Sequence, residues 1–155
     1  MEEITTGPSG LTDVEKLFVK SDYMLYTRWR FYSEYGFNFQ QNWHFQVISH
    51  KLEDIITTIS TRDTVINIPP GFSKSEMITI GLTAYTMGMD PSNKMIVTSY
   101  TLSPVAENFT AQSKAILTSP WHQDLFEVPM DRSTGAKKHF KTTSKGEVLA
   151  VGTGG

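Results

Sequence analysis

The chain contains no cysteine, which excludes a disulfide-stapled scaffold and a thiolate metal site and is compatible with a reducing compartment. Nor does it carry an excess of one charge. Lys and Arg number 14 against 16 Asp and Glu, a formal net charge of −2. That balance excludes a strongly basic nucleic-acid binder, so any DNA contact must come from a local patch or from an oligomer. No run approaches the ~18 consecutive apolar residues that suggest a bilayer span. The opening Met1-Glu-Glu-Ile-Thr-Thr-Gly-Pro8 lacks the basic and apolar regions of a secretory signal, and the expectation is a soluble protein with no membrane partner. There is no HExxH pattern and no Ser/His/Asp order of a hydrolase. His44 and His50 stand six residues apart, which does not place two imidazoles on one helical face, so a histidine metal site is not expected. His122 and His139 are isolated and read as surface or packing residues.

What is present suits one modest core, with 155 residues at 39% hydrophobic. Residues 1–10 are polar with Gly7, Pro8 and Gly10 and predict a loose terminus, leaving 11–155 as the ordered part. Thr12 and Glu15 fit a capping box, and Val14, Leu17 and Phe18 share one face of the helix that follows, which reads as packing material. Residues 23–43 interleave nine aromatic residues, among them Tyr23, Trp29, Phe31 and Trp43, with Arg28 and Arg30. This mixture suits a core, and also a surface that stacks single-stranded bases. A helix over 42–59 draws its apolar face from Val47, Ile48, Leu52, Ile55, Ile56 and Ile59.

The stretch with the most chemistry is Thr64-Val-Ile-Asn-Ile-Pro-Pro-Gly-Phe-Ser-Lys-Ser-Glu76. Val65, Ile66 and Ile68 predict a short buried strand, Pro69, Pro70 and Gly71 break it, and an apolar helix from Met77 to Met87 follows. Strand, loop and helix in that order form an anion cradle. The free N–H groups of a helix start converge on phosphate, a lysine adds a point charge, and a hydroxyl reaches Mg²⁺. Lys74 and Ser75 occupy those last two positions. The pattern GxxxxGK[ST] would place glycine at Ile68 and Ser73, so only the Lys-Ser pair matches it. An ordinary strand–turn–helix connection with a solvated lysine is the alternative.

Further along, Lys94-Met-Ile-Val-Thr-Ser-Tyr100 predicts a second buried strand, giving a right-handed βαβ unit. Thr98, Ser99 and Tyr100 would then lie at its carboxyl end, where ligands bind in open α/β sheets. Ser103-Pro104 fits a helix start, the helix continues through Phe109, Ile116 and Leu117, and Pro120 would end it. Residues 139–143 and 147–151 predict a hairpin with a glycine-containing turn. Within 131–145, Arg132, Lys137, Lys138, Lys141 and Lys145 face Asp131 alone. This is the one distinctly basic segment, a solvated face or a DNA contact.

Several motifs in order resemble a bacteriophage terminase large subunit. They are Asn42-Trp-His-Phe-Gln-Val-Ile-Ser-His-Lys-Leu-Glu53, Val65 to Glu76, Lys94 to Tyr100, Ala115-Ile-Leu-Thr-Ser-Pro120 with Leu125-Phe126, and Val148-Leu-Ala-Val-Gly-Thr-Gly-Gly155. The resemblance covers about residues 35 to 155. It implies an α/β P-loop NTPase of the additional-strand type, with a partial sheet and helices on both faces. It also implies an ATPase that drives viral DNA into a procapsid in the host cytoplasm. The implied cofactors are ATP and Mg²⁺, and the implied partners are double-stranded DNA, the portal, the small terminase subunit and further copies of the chain.

By the same resemblance Pro70, Gly71, Phe72, Ser73, Lys74, Ser75 and Glu76 hold the phosphates, with Lys74 catalytic and Ser75 on Mg²⁺. Trp43 and His44, with Gln46 as second candidate, hold the adenine. Arg132 is a candidate arginine finger. Where the family often has a basic residue after Pro-Pro, this chain has Gly71. The family's Walker B carboxylates and its nuclease would follow Gly155. The expectation is therefore a chain that binds nucleotide more readily than it hydrolyses it. The competing classes are a non-enzymatic DNA-binding or assembly module that keeps the fold, and an unrelated nucleotide kinase.

Overall fold

Chain segments that carry their own start and stop signals form the helices expected of them. The computed structural model describes residues 10–57, 63–100, 107–131 and 138–154, and it divides into two compact units, Met1–Glu53 and Asp54–Gly155. In the first unit, helix α1 spans Asp13–Ser21 behind the complete Thr12/Glu15 capping box. In that box the Glu15 backbone N–H donates to Thr12 Oγ1, and the Thr12 N–H donates to the Glu15 carboxylate at 2.8 Å. Helix α2 (Tyr23–Tyr35) starts on Asp22, whose side chain accepts from the Leu25 N–H, and ends at Gly36 in the left-handed region with φ +71°. Helix α3 spans Trp43–Thr57. The Tyr23 N–H at the start of α2 donates to the Glu53 carboxylate.

The aromatic segment divides. Tyr23, Tyr26 and Phe31 are buried, while Tyr35, Phe37 and Trp43 are exposed. Phe39 links Phe31 to Phe45, with ring centroids 4.8 Å apart in each pair. Arg30 is buried in this cluster, its Nε 3.1 Å from Glu34 and its guanidinium 5.1 Å from the Phe31 ring centroid. Two expectations change. Val14, Leu17 and Phe18 do share a face, but it is the exposed one, and Val19 is the residue that α1 buries. On α3 the buried line is Phe45, Ile48, Ser49 and Leu52, one step around the helix from the exposed Val47.

The second unit is mixed α/β. Residues Ser75–Gly81 are π-helical and run directly into α4, Leu82–Met89. Strand β1 (Lys94–Ser99) follows, then helices α5 (Glu107–Thr118) and α6 (Pro120–Phe126), then strands β2 (His139–Lys141) and β3 (Glu147–Gly152). The three strands are ordered β1-β3-β2. β1 pairs with β3 in parallel from Lys94↔Glu147 to Ser99↔Gly152, and β2 closes the expected antiparallel hairpin on β3. The core is Ile80, Ala84, Met87, Ile116, Leu117, Val128, Phe140 and Val148. The hairpin turn is clamped to the start of β1. Thr142 Oγ1 donates to the Pro91 carbonyl and accepts from the Gly146 N–H. A Cβ at Gly146 would meet the Asn93 carbonyl oxygen at 2.9 Å, so glycine is required there by close approach.

The structure corrects two sequence expectations here. Residues 63–69 form no strand and Val65 is 91% exposed. A β-branched run reports fitness for a pleated, half-buried surface, and it becomes a strand only when a neighbouring strand accepts it. β1 is a sheet edge rather than a buried strand, so it alternates in burial and leaves Ile96 68% exposed. Pro120 does follow the end of α5, whose last residue is Thr118, and it also opens α6 at its first turn, where its missing N–H costs nothing. The Ser103-Pro104 helix start lies outside the described residues.

Candidate functional site

The loop before the π-helical stretch holds two left-handed residues within three positions, whereas the other left-handed side-chain residues, Glu127 and Lys145, stand singly. Gly71 has φ +86°, and Ser73, which carries a Cβ, has φ +50°. Lys74 then returns to the right-handed region at φ −53°, ψ −53°. A change of hand between successive residues turns neighbouring N–H groups toward a common concavity that suits an anion. The Ser73 carbonyl accepts from the Met77 N–H at 3.0 Å, closing the first helical turn. The N–H groups within that turn are the ones a helix leaves without intrahelical acceptors. Pro70, Gly71, Phe72 and Lys74 are exposed, and Ser73, Ser75 and Glu76 are half-buried. Lys74 makes no ion pair among the described residues, which leaves its ammonium available to a phosphate.

Topology places this loop at the carboxyl end of β1. The Asn93 side chain donates to the carbonyls of Thr86 and Asp90, tying the end of α4 to the start of the strand. Midway, Ile78, Thr79 and Thr83 share a groove of about 220 Å³ with Met95 to Thr98. Helix and strand therefore run in opposite directions. The 15 helical residues from Ser75 to Met89, seven of them π-helical, extend somewhat less than the roughly 22 Å of an all-α helix, and the six of β1 about 20 Å. The helix start thus lies level with Ser99 and Tyr100, as expected for a ligand site in an α/β sheet. There Thr153 donates its N–H to the Ser99 carbonyl at 2.9 Å, and Gly154 donates to the Tyr100 carbonyl at 2.7 Å.

The other candidates are distributed. Trp43, His44 and Gln46 open α3, in the helical unit, while the loop belongs to the sheet unit. His44 packs its ring 4.0 Å from that of Phe45, and Trp43 and Gln46 are exposed. In the basic segment Arg132 and Lys137 lie outside the described residues. Lys138 is exposed, but Lys141 lies 3.8 Å from the Glu147 carboxylate, which also holds His139 at 2.6 Å. Lys141 thus meets a carboxylate already, which weakens it as a phosphate contact. Among the described residues no three His, Cys, Asp or Glu side chains converge as a metal site, and no helix is long and apolar enough to cross a membrane.

His122 is fully buried between the Trp121 and Phe126 rings. Burial pushes its imidazole down to about 4, and the nearby Ala84 backbone opposes that shift. It is a packing residue, as its isolation in the sequence suggested. What the sequence did not disclose is the π-helical start of the helix and the tie between Gly154 and Tyr100. The first has no periodicity signal of its own, and the second joins residues 54 apart. Comparison with family models, with curated proteins and with solved structures finds no match.

Proposed function

We propose that the chain binds the triphosphate of ATP, as its Mg²⁺ complex, at Pro70–Glu76. By the resemblance stated above, it would serve as the ATP-binding part of a terminase large subunit that powers DNA packaging. The observation that carries this reading is the pair of positive φ angles at Gly71 and Ser73 immediately before a helix start. A left-handed residue with a side chain is costly, and such strain concentrates at ligand sites. In this reading backbone N–H groups from Phe72 to Ser75 orient the phosphates. Lys74 neutralises charge on the β- and γ-oxygens, and the Ser75 hydroxyl completes the coordination of the nucleotide's magnesium. The partners would be double-stranded viral DNA, the portal, the small terminase subunit and further copies of the chain, in the host cytoplasm.

Titration calorimetry of Mg²⁺·ATP-γ-S into the folded chain tests the proposal. The expected outcome is saturable binding that Lys74→Ala removes, with circular dichroism unchanged. A folded wild-type chain that binds no nucleotide, but binds DNA with an affinity indifferent to Lys74→Ala, would instead establish a non-enzymatic assembly module.

A further inference from the structure

The two edges of the three-stranded sheet are finished differently. β2 is three residues long and carries His139 and Lys141, and shortness and charge keep a sheet edge from pairing with another chain. β1 has neither protection. It runs for six residues, its Met95-Ile-Val-Thr-Ser99 stretch holds no charge and no proline, its register carries no bulge, and Ile96 is 68% exposed. Pairing with β3 fixes which way its backbone points. The Glu147 N–H donates to the Asn93 carbonyl and the Thr153 N–H to the Ser99 carbonyl, with the parallel register unbroken between them. In such a ladder alternate residues bond the neighbour, so Asn93, Met95, Val97 and Ser99 turn to β3, and Lys94, Ile96 and Thr98 turn their N–H and C=O groups to the open edge. Among the described residues no strand meets them. Along this stretch runs the groove of about 220 Å³ that Ile78, Thr79 and Thr83 share with β1.

We propose that the open edge of β1 pairs with β1 of a second copy of this chain, antiparallel about a two-fold axis at Ile96, so that two three-stranded sheets become one. The outward-turned residues lie symmetrically about Ile96, which makes the edge its own complement, as a two-fold contact requires. In this register Ile96 meets Ile96 of the second copy, and Lys94 meets Thr98. Each is a hydrogen-bonded pair, so every outward N–H and C=O of Lys94, Ile96 and Thr98 finds a partner in both copies. A shift by one residue would set outward groups against residues that already bond β3, and a shift by two would leave end residues unmet. On the exposed face the two Ile96 side chains meet at the axis while the Lys94 side chains are carried to opposite ends. One strand pair buries less than the roughly 1,200 Å² of a standard stable complex, so the dimer assembles and dissociates with concentration. The inference is independent of the nucleotide reading, because no residue of the Pro70–Glu76 loop takes part in it.

Sedimentation velocity of the full chain over a concentration series tests the proposal, with the mass expected to rise from 17.5 kDa toward twice that value. Thr98→Pro removes an outward N–H and no bond to β3, and an edge strand accepts proline, so this variant should keep its circular dichroism and stay monomeric where the wild type is dimeric. Ile96→Lys, which sets like charges opposite each other at an already exposed position, should do the same. Because the chain has no cysteine, single introduced thiols read the register. The Cα atoms of a hydrogen-bonded antiparallel pair lie about 5.5 Å apart, within disulfide range, so Ile96→Cys should cross-link to a covalent dimer under diamide. Thr98→Cys should not, since its two copies are offset by roughly 13 Å along the strands. A wild-type chain that stays monomeric throughout, or a dimer that both Thr98→Pro and Ile96→Lys leave intact, would overturn the proposal. So would cross-linking of Thr98→Cys in preference to Ile96→Cys, which would put the axis elsewhere.

Discussion

The two units build their interiors differently. The sheet unit gathers Ile80, Met87, Leu117, Val128, Phe140 and Val148 from helices, strands and a connecting segment into one closed cluster. The helical unit buries a charged residue, Arg30, among aromatic rings and leaves Val14, Leu17, Phe18 and Val47 exposed. The same apolar content therefore has different consequences. Both units also carry apolar surface, Val65 and Ile96 in the sheet unit as well as these four, so only the buried part measures stability. Truncation at the same residue type tests the contrast most strongly. Phe140→Ala should cost about 4 kcal/mol, the cost of a large cavity in a closed core. Phe18→Ser, on the exposed face of α1, should stay within about 0.5 kcal/mol of wild type. Urea unfolding of both variants decides the matter, and comparable losses would abolish the distinction.

The contrast also explains how far the sequence could be read. Signals confined to a few residues were legible. The Thr12/Glu15 box, the α3 segment and the hairpin around Gly146 each carry cap, period and turn within one short window, and each forms. Signals that depend on a distant partner were not. Thr64–Ile68 has strand composition and no strand, because propensity without a neighbouring ladder does not determine pairing. The parallel register of β1 on β3 joins residues about fifty apart, and nothing within either segment states it. Periodicity placed Val14, Leu17 and Phe18 on one face of α1 correctly, yet it could not say that the face would be exposed. At the candidate site the residue types were legible and the backbone was not. Lys74 and Ser75 could be singled out by spacing, whereas the left-handed Ser73 and the π-helical turn are properties of the folded chain.

A second test sharpens the picture of the sheet unit as the one whose interior tolerates no charge. His122 is neutral when folded, with its ring held down to about 4 against an ordinary value near 6.5. Because the folded value is the lower one, the unfolded chain takes up this proton first as pH falls. The contribution is absent above pH 6.5, grows as pH falls from 6.5 to 4, and is constant below. The loss over that window should be about 3 kcal/mol. Denaturant midpoints at pH 7 and pH 4.5 measure it. His122→Leu should flatten the part of the slope that belongs to this ring, and an unchanged slope in that variant would show that the ring is not the group responsible.

The smallest effect concerns one of three described residues with a side chain, Ser73, Glu127 and Lys145, that the sheet unit holds at positive φ. Ser73 stands at φ +50°, where a Cβ costs roughly 1–2 kcal/mol. Glycine removes that cost but adds about 0.5–1 kcal/mol of backbone entropy to be lost on folding. Ser73→Gly should therefore stabilise the chain by less than about 1 kcal/mol, a change readable as a small rise in the denaturant midpoint. Its effect on ligand should be larger than its effect on stability. Removing the side chain clears the approach of phosphate to the amides of the loop while leaving Lys74 and Ser75 in place, so Mg²⁺·ATP-γ-S should bind more tightly. Tighter binding with little change in stability would mean that the serine, and not the architecture of the loop, sets the affinity. A variant that binds more weakly would mean that the serine hydroxyl is itself a ligand contact, and that the left-handed turn is retained for the side chain it presents.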